Sequence, residues 1–333
     1  MSIRSVSRAR VLVPVGLLVA AGTAVAALQG QSGGVEGRPQ MSVVADSTSS
    51  GPPTTARVTA PPTAQVTTPP AVAPTPTATP TSVVPPATAP SPTAPAGAPD
   101  AALRNAVDRA EGAVSVAVTD LGTGQSLSYG GTGHDFATAS IVKLDILAAL
   151  LLRTQDLGTT PTAEQRDLAT TMIENSDNDS ATGLWDEIGA DTGLDAANAR
   201  FGLTSTTAGQ DGYWGLTSTT ADDQLRLLRQ VFTENSLLTP TSRGYVQELL
   251  DQVEEDQRWG VGAAAADGDY AVKNGWLPRD SDGLWVINSI GRVERDGHEL
   301  LIAVVSDGNP TDTDGMRLVE SVALAAAVAV AGT

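Results

Sequence analysis

The sequence predicts an α+β domain over residues 100–333: an antiparallel sheet of about five strands drawn from both ends of the domain, packed with helices, plus a helical subdomain. Three observations carry this. Two short strand-like segments open the region, three more lie close to its end, and the stretch between them has the apolar spacing of helices. Strands at both ends with helices between them bring the two ends into one sheet.

In order, "AALRNAVDRAEG" has helical spacing, and "AVSVAVTD" and "SLSYGG", joined by "LGTGQ", form a hairpin. "HDFATASIVKLDILAALLL" is an apolar helix that should be buried. "PTAEQRDLATTMIENSDNDSATGLWDEIG" gives two helices broken at an Asn/Ser/Asp cluster, and "TADDQLRLLRQVF" and "TSRGYVQELLDQV" give two more. "DYAVKNGW", "LWVINSIGRVE" and "ELLIAVVSD" are strands separated by Asp/Gly/Pro turns. The closing "GMRLVESVALAAAVAVAG" is an apolar helix whose uninterrupted run is too short to span a bilayer, so it packs on the sheet.

The first hundred residues are of another kind. Arg4, Arg8 and Arg10 precede an apolar stretch from Val11 to Leu28 ending in small residues, which reads as a signal peptide or an uncut signal anchor over residues 1–28. Residues 29–99 are a Pro/Thr/Ala-rich linker that holds too little apolar surface for a core. This leader places the domain outside the cell: extracellular, wall-associated or membrane-anchored, with membrane contact only through the N-terminal segment. Without any cysteine, a lipid-modified cysteine anchor, disulfides and cysteine-containing zinc sites are excluded. A net charge of -18 argues against a nucleic-acid binder and fits an acidic exported monomer.

Of the 20 basic residues only two are lysines, Lys143 and Lys273. Where the chain needs only positive charge it uses arginine, and lysine has a property that arginine lacks: a desolvated ammonium can give up its proton. Lys143 follows Ser140 by three positions at the start of the apolar helix, so the two share one face, and the helix N-terminus offers N–H groups to a developing oxyanion. A buried, neutral Lys143 suits a base for a serine nucleophile. "SDN", Ser176-Asp177-Asn178, lies at the helix break; it reads equally as a helix cap or as a proton relay with an amide that holds the lysine. "KNG", Lys273-Asn274-Gly275, ends a predicted strand; it reads as a hairpin turn or as a strand edge offering N–H groups and charge to a substrate.

Both lysines fall in motifs that, with the third between them, stand in one mechanistic order. "SIVK", "SDN" and "KNG" resemble the S-x-x-K, S-D-N and K-T-G set of class A β-lactamases and penicillin-binding proteins, a likeness that extends over residues 100–333. The resemblance implies a β-lactamase/transpeptidase-like fold and an acyl-enzyme on Ser140, with Lys143 as base and Ser176 as relay. Asn178, Lys273, Asn274 and Gly275 would shape the substrate site, and the backbone N–H groups of Ser140 and Trp276 would form the oxyanion hole. The implied substrates are β-lactams or peptidoglycan stem peptides, with no cofactor and no metal.

The sequence departs from that pattern in three places. Asn274 stands where Thr or Ser is usual, the segment between Lys143 and Ser176 is short, and no glutamate in an E-x-x-L-N pattern follows "SDN". The loop "STTAGQDGYWGLTSTTADD" offers only Asp211 as a deacylating base, or as a plain turn residue in "QDG". Acylation would then outrun release, as in a penicillin-binding D-Ala-D-Ala peptidase; the rival from another class is a non-catalytic cell-wall or ligand-binding module on the same fold. Arg279 could clamp a substrate carboxylate or lie solvated in a loop, and Trp214 and Trp276 could line a cleft or fill the core. His134 and His298, far apart in sequence, supply neither a zinc cluster nor a convincing Ser-His-Asp triad.

Overall fold

The computed structural model describes residues 101–266 and 268–332. The leader and linker therefore lie outside the described residues. In chain order the elements are α1 (Ala101–Asp108), β1 (Ala113–Asp120), β2 (Ser126–Gly130), β3 (Phe136–Ala137), α2 (Val142–Asp156), α3 (Ala163–Glu174), α4 (Asn178–Ile188), α5 (Ala190–Phe201), β4 (Ser218–Thr219), α6 (Ala221–Phe232), α7 (Pro240–Asp251), β5 (Tyr270–Pro278), β6 (Trp285–Arg295), β7 (His298–Asn309) and α8 (Asp312–Ala331).

The main sheet has five strands in the order β2-β1-β7-β6-β5, every neighbouring pair antiparallel. The N-terminal hairpin and the three C-terminal strands thus share one sheet, joined where β1 lies along β7. The run Leu300–Ser306 of β7 is buried on both faces, because α8 packs against the sheet and α6 also contacts β1 and β7. This is why β7 reads as a continuous apolar run rather than an alternating one. Gly315, in the first turns of α8, lets the helix settle on the sheet: a Cβ there would come within 2.4 Å of Ile287.

The helical half surrounds α2, whose residues from Val142 to Leu152 are all buried. Its apolar character on every side reflects a helix enclosed by neighbours rather than one lying at a surface. α5 was not legible in the sequence. Gly189, in the left-handed region at φ 96°, ends α4, α5 begins at the next residue, and Gly193 approaches so close that a Cβ would clash with Ile188 O at 1.9 Å. The two-residue strands β3 and β4 pair with each other and are too short to leave an alternating pattern. "KNG" does not close a hairpin: β5 runs on through it to Pro278, pairing Gly275 with Asn288 and Trp276 with Ile287.

Candidate active site

The site forms where α2, the α3–α4 junction and β5 meet. Ser140 occupies a 3-10 turn, Ala139–Ile141, that leads directly into α2. Ala139 is held in the left-handed region at φ 47°, and so is Ser176 at φ 54°. Non-glycine residues there cost roughly 1–3 kcal/mol each, and such strain gathers where a backbone is bent for a function. The serine turn is fastened to the sheet by Asn288 of β6, whose amide donates to Ala137 O at 2.8 Å and Thr138 O at 2.9 Å while its Oδ1 accepts from Ser306 N at 3.0 Å. Sequence reasoning passed over Asn288; its signal was a polar residue inside the apolar strand "WVINSI".

Lys143 and Lys273 are both wholly buried, and neither forms an ion pair among the described residues. Lys143 Nζ donates to Ser176 O at 2.5 Å, Asn178 Oδ1 at 2.8 Å and Ser176 Oγ at 3.1 Å. Lys273 Nζ donates to the same Ser176 Oγ at 2.9 Å and to Asn274 O at 3.1 Å. Burial, with the repulsion of Lys273 added, pulls Lys143 down to about 6; burial alone pulls Lys273 down to about 7. Ser140 is buried, with 5% of its surface exposed.

The two readings of "SDN" divide among its residues. Asp177 is the N-cap of α4, accepting from Ser180 N at 2.7 Å, and hydrogen bonding to Ser180, by its side chain first and its backbone second, holds the Asp177 carboxyl below its ordinary value. Ser176 and Asn178, on either side, turn to the lysine instead.

β5 contributes through alternation. Lys273 and Gly275 share one face of the strand, toward the serine turn and Ser176, and Asn274 takes the opposite face. A Cβ on Gly275 would fall 2.6 Å from Ser140 N and 2.8 Å from Ile141 N and Thr138 O, so only glycine admits the serine turn this close. Asn274 makes its contacts on that opposite face. It is buried, and its amide donates to Gln257 O at 2.7 Å and Trp259 O at 2.9 Å, binding the segment 257–259 to the sheet. Trp276, on that same face, packs edge-on against Trp259 at 6.2 Å between rings.

Two further candidate residues lie at the surface. Asp211 is an exposed turn residue in the left-handed region at φ 57°, as the "QDG" turn reading had it. The group that faces Lys143 from this loop is Trp214, whose ring centroid lies 5.0 Å from Nζ. Arg279 is 44% exposed in the β5–β6 turn, and its charge is shared between Asp282 at 3.7 Å and Asp307 at 3.8 Å. The histidines stay apart: His134 bonds Asp307 at 2.8 Å and His298 bonds Asp120 at 2.7 Å.

A model of the beta-lactamase enzyme family matches residues 152–330, more than half of the chain, beginning in the last turns of α2 and so after both Ser140 and Lys143. LppW of Mycobacterium tuberculosis and of Mycobacterium bovis, whose name presents it as a lipoprotein, is 31% identical over 185 residues, 53% of this chain. The match spans 58% of the length of those relatives. Among solved structures, a mutant of PBP-A in acyl-enzyme complex with penicillin G superposes with a TM-score of 0.58 at 19% identity, over 67% of this chain and 92% of that one. A β-lactamase from Xanthomonas campestris pv. campestris gives 0.57 at 18% identity, over 68% and 94%, and the extended-spectrum β-lactamase TLA-1 gives 0.60 at 15%, over 67% and 94%. Together with the five-stranded sheet and its helices, these likenesses establish the fold as that of β-lactamases and PBP-A, and by its family match the chain belongs to the beta-lactamase enzyme family.

Proposed function

We propose that residues 100–333 form an exported serine hydrolase domain that reacts through a covalent Ser140 acyl-enzyme with β-lactams or related cell-wall peptide amides. The observation that carries this reading is the single hydroxyl of Ser176 held between two buried lysines, 3.1 Å from one and 2.9 Å from the other. A purely structural site has no reason to desolvate two ammonium groups beside one hydroxyl, since each costs several kcal/mol unless it is neutral or paired.

In this reading Lys143 is neutral at pH 7. Its two hydrogens are directed at Ser176 O and Asn178 Oδ1, and its lone pair takes the Ser140 proton as Oγ attacks the amide carbonyl. The C–N bond then breaks, and the proton passes through Ser176 to the leaving nitrogen. The backbone N–H groups of Ser140 and Trp276, brought together by the missing Cβ of Gly275, receive the oxyanion. Lys273 offers charge to a substrate carboxylate, and no cofactor is needed.

The leader and linker, residues 1–28 and 29–99, support export, and so does the lipoprotein name of the mycobacterial relatives. With no cysteine in the chain, retention at the membrane would rest on an uncut leader rather than a lipid on cysteine. The deciding experiment is a time course of intact mass after penicillin G is added to the purified protein, with Ser140→Ala as control. A Ser140-dependent increment equal to the antibiotic supports the reading. Neither adduct nor penicillin consumption would overturn it in favour of a non-catalytic binding module.

A further inference from the structure

The loop between α5 and β4 is closed tightly over the site. A Cβ on Gly209 would lie 2.0 Å from Tyr213 O, and Gly209 N donates to Thr217 Oγ1 at 3.1 Å. The loop is then tied to both halves of the candidate site. Thr217 O accepts from Thr138 N at 2.8 Å, two residues before Ser140, and Trp214 Nε1 donates to Thr182 Oγ1 of α4 at 3.2 Å. The short 3-10 turn Trp214–Leu216 packs against the serine turn. Trp214 itself is buried, with its ring 5.0 Å from Lys143 Nζ.

Lys143 is therefore enclosed on two sides. Ser176 O, Ser176 Oγ and Asn178 Oδ1 take its polar contacts, and an indole face covers another side. Among the described residues no carboxylate pairs with it. The one acid in the loop ahead of Trp214, Asp211, is exposed at the surface turn.

We infer that Trp214 is a water-excluding positioning residue that preserves the acyl-enzyme, so that the domain holds its substrate covalently instead of turning it over. This rests on the proposed Ser140 chemistry. Release requires a water oxygen to attack the ester carbonyl, the bond from that carbon to Ser140 Oγ to break, one water proton to leave for a base, and Oγ to be protonated. An indole beside the lysine fills that space with an apolar face and offers a water no acceptor of its own, whereas acylation, which needs no water, proceeds unhindered.

The test is pulse labelling of the full-length protein with penicillin G, removal of free antibiotic, and intact mass against time, for wild type, Trp214→Phe, Trp214→Ala and Thr182→Val. Adduct formation and adduct lifetime are read separately. The expected result is an adduct persisting for hours in wild type and Trp214→Phe, which keeps an aromatic face. Its lifetime should fall at least tenfold in Trp214→Ala, and measurably in Thr182→Val, which frees the indole without removing it. Formation rates should change far less. A wild-type adduct that decays within seconds, or equal lifetimes in wild type and both loosened variants, overturns the inference and leaves the Ser140 chemistry standing. Absence of any adduct overturns both.

Discussion

Lys273 Nζ lies 2.9 Å from Ser176 Oγ, although the two residues are 97 positions apart in the chain. That contact joins the sheet to the helical half, and Lys143 completes it from the other side at 3.1 Å. Ser176→Ala removes the shared hydroxyl and leaves both amines in place. Acylation by penicillin should fall about a hundredfold or more, the usual contribution of a positioned proton-transfer group. The thermal midpoint should move little. Stopped-flow loss of β-lactam absorbance gives the rate; an unchanged rate would remove Ser176 from the reaction.

The lysines also fix a pH dependence. Their folded values, about 6 and about 7, lie below the ordinary 10.5. Between those limits the unfolded chain holds protons that the folded chain has released, so stability rises with pH from about pH 6 and levels off once the unfolded lysines lose theirs. The slope is at most about 1.4 kcal/mol per pH unit for each lysine. Urea midpoints from pH 6 to 9 should climb less steeply in Lys143→Met than in wild type, and acylation should rise through an apparent pKa near 6. Parallel curves for the two proteins would mean that Lys143 stays charged when folded.

Gly275→Ala tests the close approach of β5 to the serine turn. With Ser140 N only 2.6 Å from the new methyl carbon, one of the two backbones must move. The cost should be roughly 1–3 kcal/mol in stability. Displacement of the oxyanion donors should slow acylation by about a hundredfold. Chemical denaturation and acylation kinetics on the same sample separate the two effects.

Asp145 provides a test with the opposite sign. It is buried on α2, beside the equally buried Asn198 of α5. Burial pushes its carboxyl up to about 7, from an ordinary 3.8. The folded state then keeps a proton that the unfolded chain releases above pH 4, so stability is full below that value and declines as pH rises toward 7. Asp145→Asn should be nearly neutral at pH 4 and stabilising at pH 8, by on the order of 2–4 kcal/mol. A constant difference across that range would show that Asp145 is not protonated in the folded state.

Much of this was legible in the residues themselves. Two lysines in a chain that otherwise uses arginine pointed to the place where α2, the α3–α4 junction and β5 meet, and strands at both ends marked the sheet. The alternation of a strand also places Asn274: if Lys273 and Gly275 face the serine turn, their neighbour faces away. Trp214 was named, but its position over Lys143 depends on how a loop closes, which no local pattern encodes. Asn288 acts through partners some 150 positions distant, so its role emerges only once the sheet brings Ala137 and Thr138 beside it.

The enclosure of α2 has a consequence for how the protein can fail. α2, buried from Val142 to Leu152, can fray only at its exposed last turn, so the amide protons of that buried run should exchange only when the helical half opens as a unit. Ser140 and Lys143, at its head, share that protection. The geometry of the candidate site is therefore coupled to cooperative unfolding, and a population of this protein should contain folded molecules and unfolded ones, with few that are folded but slack at the serine.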